Sequence, residues 1–288
     1  MYNRYNMKQT IFNASLEESM NLVTDQYIKT SFEDFNEKGY EGKLLGIITM
    51  QFILFLIFLF SIWVDSQNLQ FLFMKVGLIN GAFFGLGFVG FVGYIIDLTK
   101  IKNQSILSYY YFNKWVGFMN FLLCLQSLVI GIAGAGTIIG MILSGALYTV
   151  AFILYFIRLF QNFQKNTLEI LYQESTYSNR GADFLDRFVV FAKRYGGLIL
   201  FLIVIFRIFF PNSDLIQQND TFRSIFVAIN PIIFVPFLYF QYVLSVNNFQ
   251  GYYLKKYLED YRQLSDYSIE DWYGKESKRY KESLDQEV

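Results

Sequence analysis

The chain lacks histidine entirely, has one cysteine and three prolines, and is short of charge: only 17% of its 288 residues are Asp, Glu, Lys or Arg. Each shortage excludes something. Without histidine, the commonest metal ligand and the commonest general base are missing. A lone cysteine, Cys124, cannot form an intramolecular disulfide. A soluble domain carries about a quarter charged residues, and a chain with 17% charged and 54% hydrophobic residues falls outside that class. The 24 basic and 24 acidic residues cancel, which leaves no global field to draw a polyanion. No nucleic-acid partner is therefore expected. The chain also has no G-x-S-x-G serine motif and no zinc motif. It is read as non-enzymatic and without a cofactor.

What is abundant is apolar sequence in long uninterrupted runs. Residues 44–64, 76–96, 115–157 and 224–254 carry no charge. A membrane-crossing helix needs about 20 apolar residues. The run at 115–157 is long enough for two crossings, and a shorter apolar block, 195–210, is broken only by Arg207. The expectation is an all-α, polytopic integral membrane helix bundle with six transmembrane helices, about 44–64, 72–96, 115–134, 137–158, 195–211 and 224–246. Lys and Arg cluster in cytoplasmic segments of membrane proteins. With the N-terminus inside, 21 of the 24 cations fall on segments 1–43, 97–114, 158–194 and 247–288. The arrangement expected is N-in/C-in, multi-pass in the cytoplasmic (plasma) membrane, with the mitochondrial inner membrane as the alternative. The first apolar run starts behind a long charged segment, so it reads as a retained anchor and no cleaved presequence is evident.

Gly85, Gly87 and Gly90 spell G-x-G-x-x-G, the fingerprint of a dinucleotide site. That fingerprint needs a strand before it and an acidic residue about 20 positions on. Here it lies in the middle of an uncharged run, where a phosphate would sit in hydrocarbon, so no nucleotide is expected. The glycines fit helix packing better. Gly77, Gly81 and Gly85 recur every four residues, on one helical face, and Gly136, Gly140 and Ser144 form a similar series. Small residues let helices approach closely in lipid. Gly131–Gly136, GIAGAG, reads as a tight turn between the third and fourth spans, or a re-entrant segment.

Asn80 stands inside the second span, and Asn230, Pro231 and Pro236 inside the last. A proline in a helix removes a hydrogen bond and clashes with the preceding turn. These four residues are candidates for a hinge or a solute path. No Asp or Glu lies inside an expected span, which disfavours ion-coupled transport.

Residues 15–37 read as one amphipathic helix. Ser15 and Glu18 form a capping box. Leu16, Met20, Val23 and Tyr27 share a stripe whose opposite face is acidic. Tyr257, Leu258 and Tyr261 form a second stripe in the tail. Helices that lie on anionic lipid are basic on their polar face. These are not, so they are expected to dock on each other or on a protein partner at the cytoplasmic face, while the spans contact membrane lipid. Two functions follow as expectations. The first is a non-catalytic membrane component that works by partner binding, of the accessory, assembly or immunity type. The alternative is a passive channel or facilitator for a small solute through the glycine-lined bundle.

Overall fold

The computed structural model describes residues 9–172, 220–265 and 267–286. They are almost wholly helical. A short helix α1 (Leu16–Met20) precedes the long α2 (Asp25–Ser66). A two-residue hairpin, β1 (Gln70–Phe71) against β2 (Met74–Lys75), leads to α3 (Val76–Ile101). A 3-10 turn (Ser105–Leu107) opens α4 (Ser108–Ile139), and α5 (Met141–Tyr172) follows. Beyond residue 219, α6 (Asp220–Ile229) passes through a 3-10 turn (Asn230–Ile233) into α7 (Phe234–Lys256). Three short helices close the chain: α8 (Leu258–Leu264), α9 (Ile269–Tyr273) and α10 (Lys278–Gln286).

Among the described residues, five helices are long and apolar enough to cross a membrane: Gly39–Ser66, Val76–Ile101, Ser105–Ile139, Met141–Tyr172 and Ser224–Lys256. The crossing expected at 195–211 lies outside the described residues. α4 is the centre of the bundle. It packs on α2, α3, α5, α6 and α7, and 50% of its apolar window is buried against 17% for α2. The periphery is correspondingly apolar and exposed, as at Phe52, Leu78, Val92, Leu154 and Phe237. That pattern suits lipid as solvent.

The single helix expected over 15–37 is two helices. The capping box starts the first as expected: the Ser15 N–H donates to Glu18 Oε2 (2.7 Å), and Ser15 Oγ accepts from the Glu18 N–H (3.3 Å). The helix stops at Met20 because a new cap takes over. Thr24 Oγ1 accepts from the Tyr27 N–H (3.2 Å), and the Thr24 N–H is turned away to Gln250 (3.2 Å). α2 then bends at Gly39, where φ is 55° and ψ is −167°. That region is essentially open only to glycine. The bend separates a segment that lies over the bundle end from one that crosses it. Across it, Asp34 and Lys43 form a buried ion pair (2.7 Å), and Lys43 Nζ also donates to Ser108 Oγ at the start of α4 (2.6 Å).

The turn between the third and fourth spans is also displaced. α4 continues through Gly131–Gly136, and the chain reverses at Gly140, where φ is 98°. Gly140 is thus a turn residue, exposed, with nothing near its Cβ position. It does not pack helices as expected. Gly136 and Ser144 do, but from different helices. A Cβ on Gly136 would lie 3.1 Å from Met141 Cα, and Ser144 Oγ donates to Ile132 O (2.9 Å).

Gly85 needs the same correction. It is exposed, with open space around its Cβ position. Gly77 is buried and its N–H donates to Asp65 Oδ2 (3.0 Å), while Gly81 faces the Phe58 ring at 3.1 Å. Further along α3 the close contacts pass to another face. Gly87 meets Gln51 and Leu54, Gly90 meets Phe118, and Gly93 meets the Trp115 indole at 2.3 Å. The four-residue spacing drifts off the contact because a helix turns every 3.6 residues.

Candidate functional site

Two features stand out: a cap built from both ends of the described chain, and a cavity beneath it. The cap joins residues 9–38 to residues 250–286. Tyr253 Oη donates to Ile11 O (2.6 Å) and accepts from the Ala14 N–H (3.2 Å). Tyr257 Oη donates to Ala14 O (2.7 Å), and Ser19 Oγ pairs with Tyr261 Oη (2.7 Å). Val23, Tyr27, Tyr253, Leu254, Tyr261, Trp272 and Tyr273 form one buried cluster, with Leu16, Tyr257 and Leu258 packed against it. The two expected stripes therefore cover each other. Met20 is the exception. It is 48% exposed, because the helix it was placed on ends there. Leu264 is likewise 59% exposed, one turn past Tyr261.

An ionic network holds the end of the cap. Glu259 accepts from Arg262 (2.7 Å), from Arg279 (2.8 Å) and from the Tyr273 hydroxyl. Burial pushes the Glu259 carboxyl up. Bonds from Arg262 and Tyr273, with the charges of Arg262 and Arg279, outweigh it and hold the carboxyl below the usual range. Burial pushes the Tyr261 hydroxyl up to about 12, against a partly offsetting bond to Ser19, and burial with the Glu259 contact does the same for Tyr273. The signs give a pH window. A lowered carboxyl contributes stability above its unfolded pKa, about 4.3, and that contribution is lost as pH falls. A raised tyrosine contributes below its unfolded pKa, about 10, and the contribution is lost as pH rises toward 12. The cap is expected to resist limited proteolysis between these limits and to open on both sides. Constant resistance from pH 4 to pH 12 would contradict the network.

The cavity lies between α4, α5 and α7 and encloses about 550 Å³. Helical spacing builds each wall: Asn113, Gly117 and Phe121 on α4, Phe156, Phe160 and Phe163 on α5, and Leu238, Gln241, Ser245 and Asn248 on α7. Gln241 pins α7 to α4. Its Nε2 donates to Gly117 O (2.6 Å), and its Oε1 accepts from Asn120 (2.9 Å). Lys114, on the same lining, meets Asp97 Oδ2 at 3.1 Å. Asp97 is only 4% exposed and also binds Lys100 (2.6 Å) and the Trp115 indole N–H (2.9 Å). The sequence reading did not single out Asp97, Lys114 or this cavity. The available signal was the polar face Asn113, Gln241, Ser245 and Asn248 on otherwise apolar helices.

The four hinge or path candidates do not line the cavity. Asn80 is fully buried in a bridge between helices. Its Nδ2 donates to Gln126 O (3.2 Å), and Gln126 Nε2 donates back to Asn80 O (2.9 Å) and to Leu54 O (3.4 Å). Such bonds inside a membrane bundle contribute about 0.6 kcal/mol each. Asn230 and Pro231 begin the 3-10 turn beside Gly131, so a local break in the helix does occur there. Pro236 is the third residue of α7, where a missing N–H costs little. No protein-family model, no curated protein and no solved structure matches this chain.

Proposed function

We propose that this chain is a non-catalytic, multi-pass protein of the plasma membrane that works by binding a protein partner through its cap on the cytoplasmic side. The observation that carries the reading is the cap itself. Both ends of the described chain fold onto the bundle as one ordered surface, and Met20 and Leu264 stand exposed beside the joined Ser19–Tyr261 pair. Six crossings with both termini inside fit the geometry. Asn21 Nδ2 donates to Leu171 O (3.3 Å), which puts the end of α5 at the cap. Tyr148, near the start of α5, donates to Ala228 O (2.5 Å), which puts α6 at the opposite end. The connection from Tyr172 to Asp220 must change ends once, as the crossing expected at 195–211 requires.

The passive facilitator remains the alternative function. Against it, the glycines expected to line a path are in contact with Phe58, Leu54, Phe118 and Trp115. The test pairs two measurements. Met20→Asp with Leu264→Asp should leave insertion and thermal stability unchanged and abolish co-purification of the partner from native membranes. Reconstituted vesicles should show no added solute flux. A double variant that keeps its partner, or vesicles that leak a small solute above the protein-free rate, would overturn the reading.

A further inference from the structure

The cavity between α4, α5 and α7 is graded along its length. All three helices have their cap ends at the same side, so Lys114, Asn113 and Asn248 stand nearest the cap and Phe121, Phe156 and Leu238 lie deepest. Asn113 and Phe121 are eight residues apart, about 12 Å along a helix. The mouth is polar and the floor is aromatic and aliphatic. Ligand pockets run to about 300–1,000 Å³, and this one, at about 550 Å³, lies in that range.

The charge at the mouth has a sign. Asp97 is shared by Lys100 and Lys114, so two cations face one carboxylate and the group carries a net charge of +1. Lys114 is 40% exposed, with donor capacity left after one bond to Asp97. Asn248 Oδ1 is buried without a hydrogen-bond partner, and such atoms are costly unless something fills the place. Trp115 sits beside the pair, with Lys114 Nζ 4.2 Å from its ring centroid. Tryptophan belongs at the headgroup level of a bilayer.

We propose that this cavity holds one acyl chain of an anionic bilayer phospholipid, with the phosphate at Lys114 and a headgroup hydroxyl donating to Asn248. The occupant follows from the grading. A soluble anion would leave the aromatic floor empty, and a neutral hydrocarbon would leave the mouth unpaired. The site is independent of the partner-binding reading.

Native mass spectrometry from detergent tests it, with phosphatidylglycerol and phosphatidylcholine of identical chains and with glycerol phosphate as the chainless probe. The wild-type chain should retain one phosphatidylglycerol, and at least tenfold less phosphatidylcholine. Glycerol phosphate should not be retained. Lys114→Gln should remove the preference between the two lipids while a chain still binds. Ser245→Trp, at an exposed lining position, should block retention of both with little change in thermal stability. Equal retention of both lipids by the wild type would overturn the proposal. So would retention of glycerol phosphate, or an undiminished lipid adduct on Ser245→Trp. If Ser245→Trp fails to fold, the Lys114→Gln comparison decides alone, and an unchanged preference there refutes the headgroup assignment.

Discussion

Lys43→Met is expected to lower the stability of the bundle by about 3–5 kcal/mol, the usual cost of removing one partner from a buried ion pair. The Lys43 side chain is 0% exposed and Asp34 is 6% exposed. Their contact joins the two arms of α2 across the Gly39 bend, and the Lys43 bond to Ser108 ties both to α4. Removing the ammonium group would leave the Asp34 carboxylate in a low-dielectric place without its cation, 2.7 Å away in the native fold. The attraction itself is not the measure of the loss. Two charges taken out of water cost several kcal/mol each, which their pairing only offsets. A double variant, Asp34→Leu with Lys43→Met, should therefore recover most of the stability. The check is a double-mutant cycle by thermal unfolding in detergent. A single variant as stable as wild type, or a double variant as damaged as the single, would refute the buried-pair account.

That pair marks a limit on what the sequence could say. The apolar runs were readable because the bilayer fixes helix length, and α2, α3, α4, α5 and α7 each cover an expected span. Their ends were less readable. GIAGAG has the composition of a turn in water, but in a bundle small residues also serve close packing, and Gly131 and Gly136 are spent that way. Only the φ of 98° places the reversal at Gly140. Asp97 lies just past an uncharged run and read as a loop residue. The structure puts it in the last turns of α3, buried between two lysines from different helices. The cavity needed three helices brought together, and no local pattern encodes that meeting. The cap was closer to legible, since both stripes follow the helical period. Yet the break at Asn21–Thr24 depends on Gln250, which is more than 200 positions away.

The second large effect is expected at a glycine outside both expected series. Gly251 lies on α7 where the cap, α4 and α7 meet. A Cβ there would lie 2.3 Å from Tyr110 Cδ2, 2.7 Å from Tyr110 Cβ and 2.5 Å from Tyr27 Oη. Tyr110 Cβ is fixed to the α4 backbone, so rotation of the ring does not relieve the clash. The helices must separate, and Tyr27 with its buried neighbours Tyr253 and Leu254 must move with them. Overpacking a tight contact costs about 1–3 kcal/mol and occasionally more. Gly251→Leu, which adds four carbons where not even one fits, should reach the upper end of that range. Because the contact holds the cap to the bundle, the same variant should expose residues 9–38 to protease while the spans stay inserted. Gly85→Leu is the control. It belongs to the expected glycine series, but its surroundings are open. A substitution away from contacts should stay within about 0.5 kcal/mol. Thermal unfolding in detergent and limited proteolysis read both variants. A Gly85→Leu bundle that melts as early as Gly251→Leu would mean that the four-residue series, rather than the contact at Gly251, is where these helices meet.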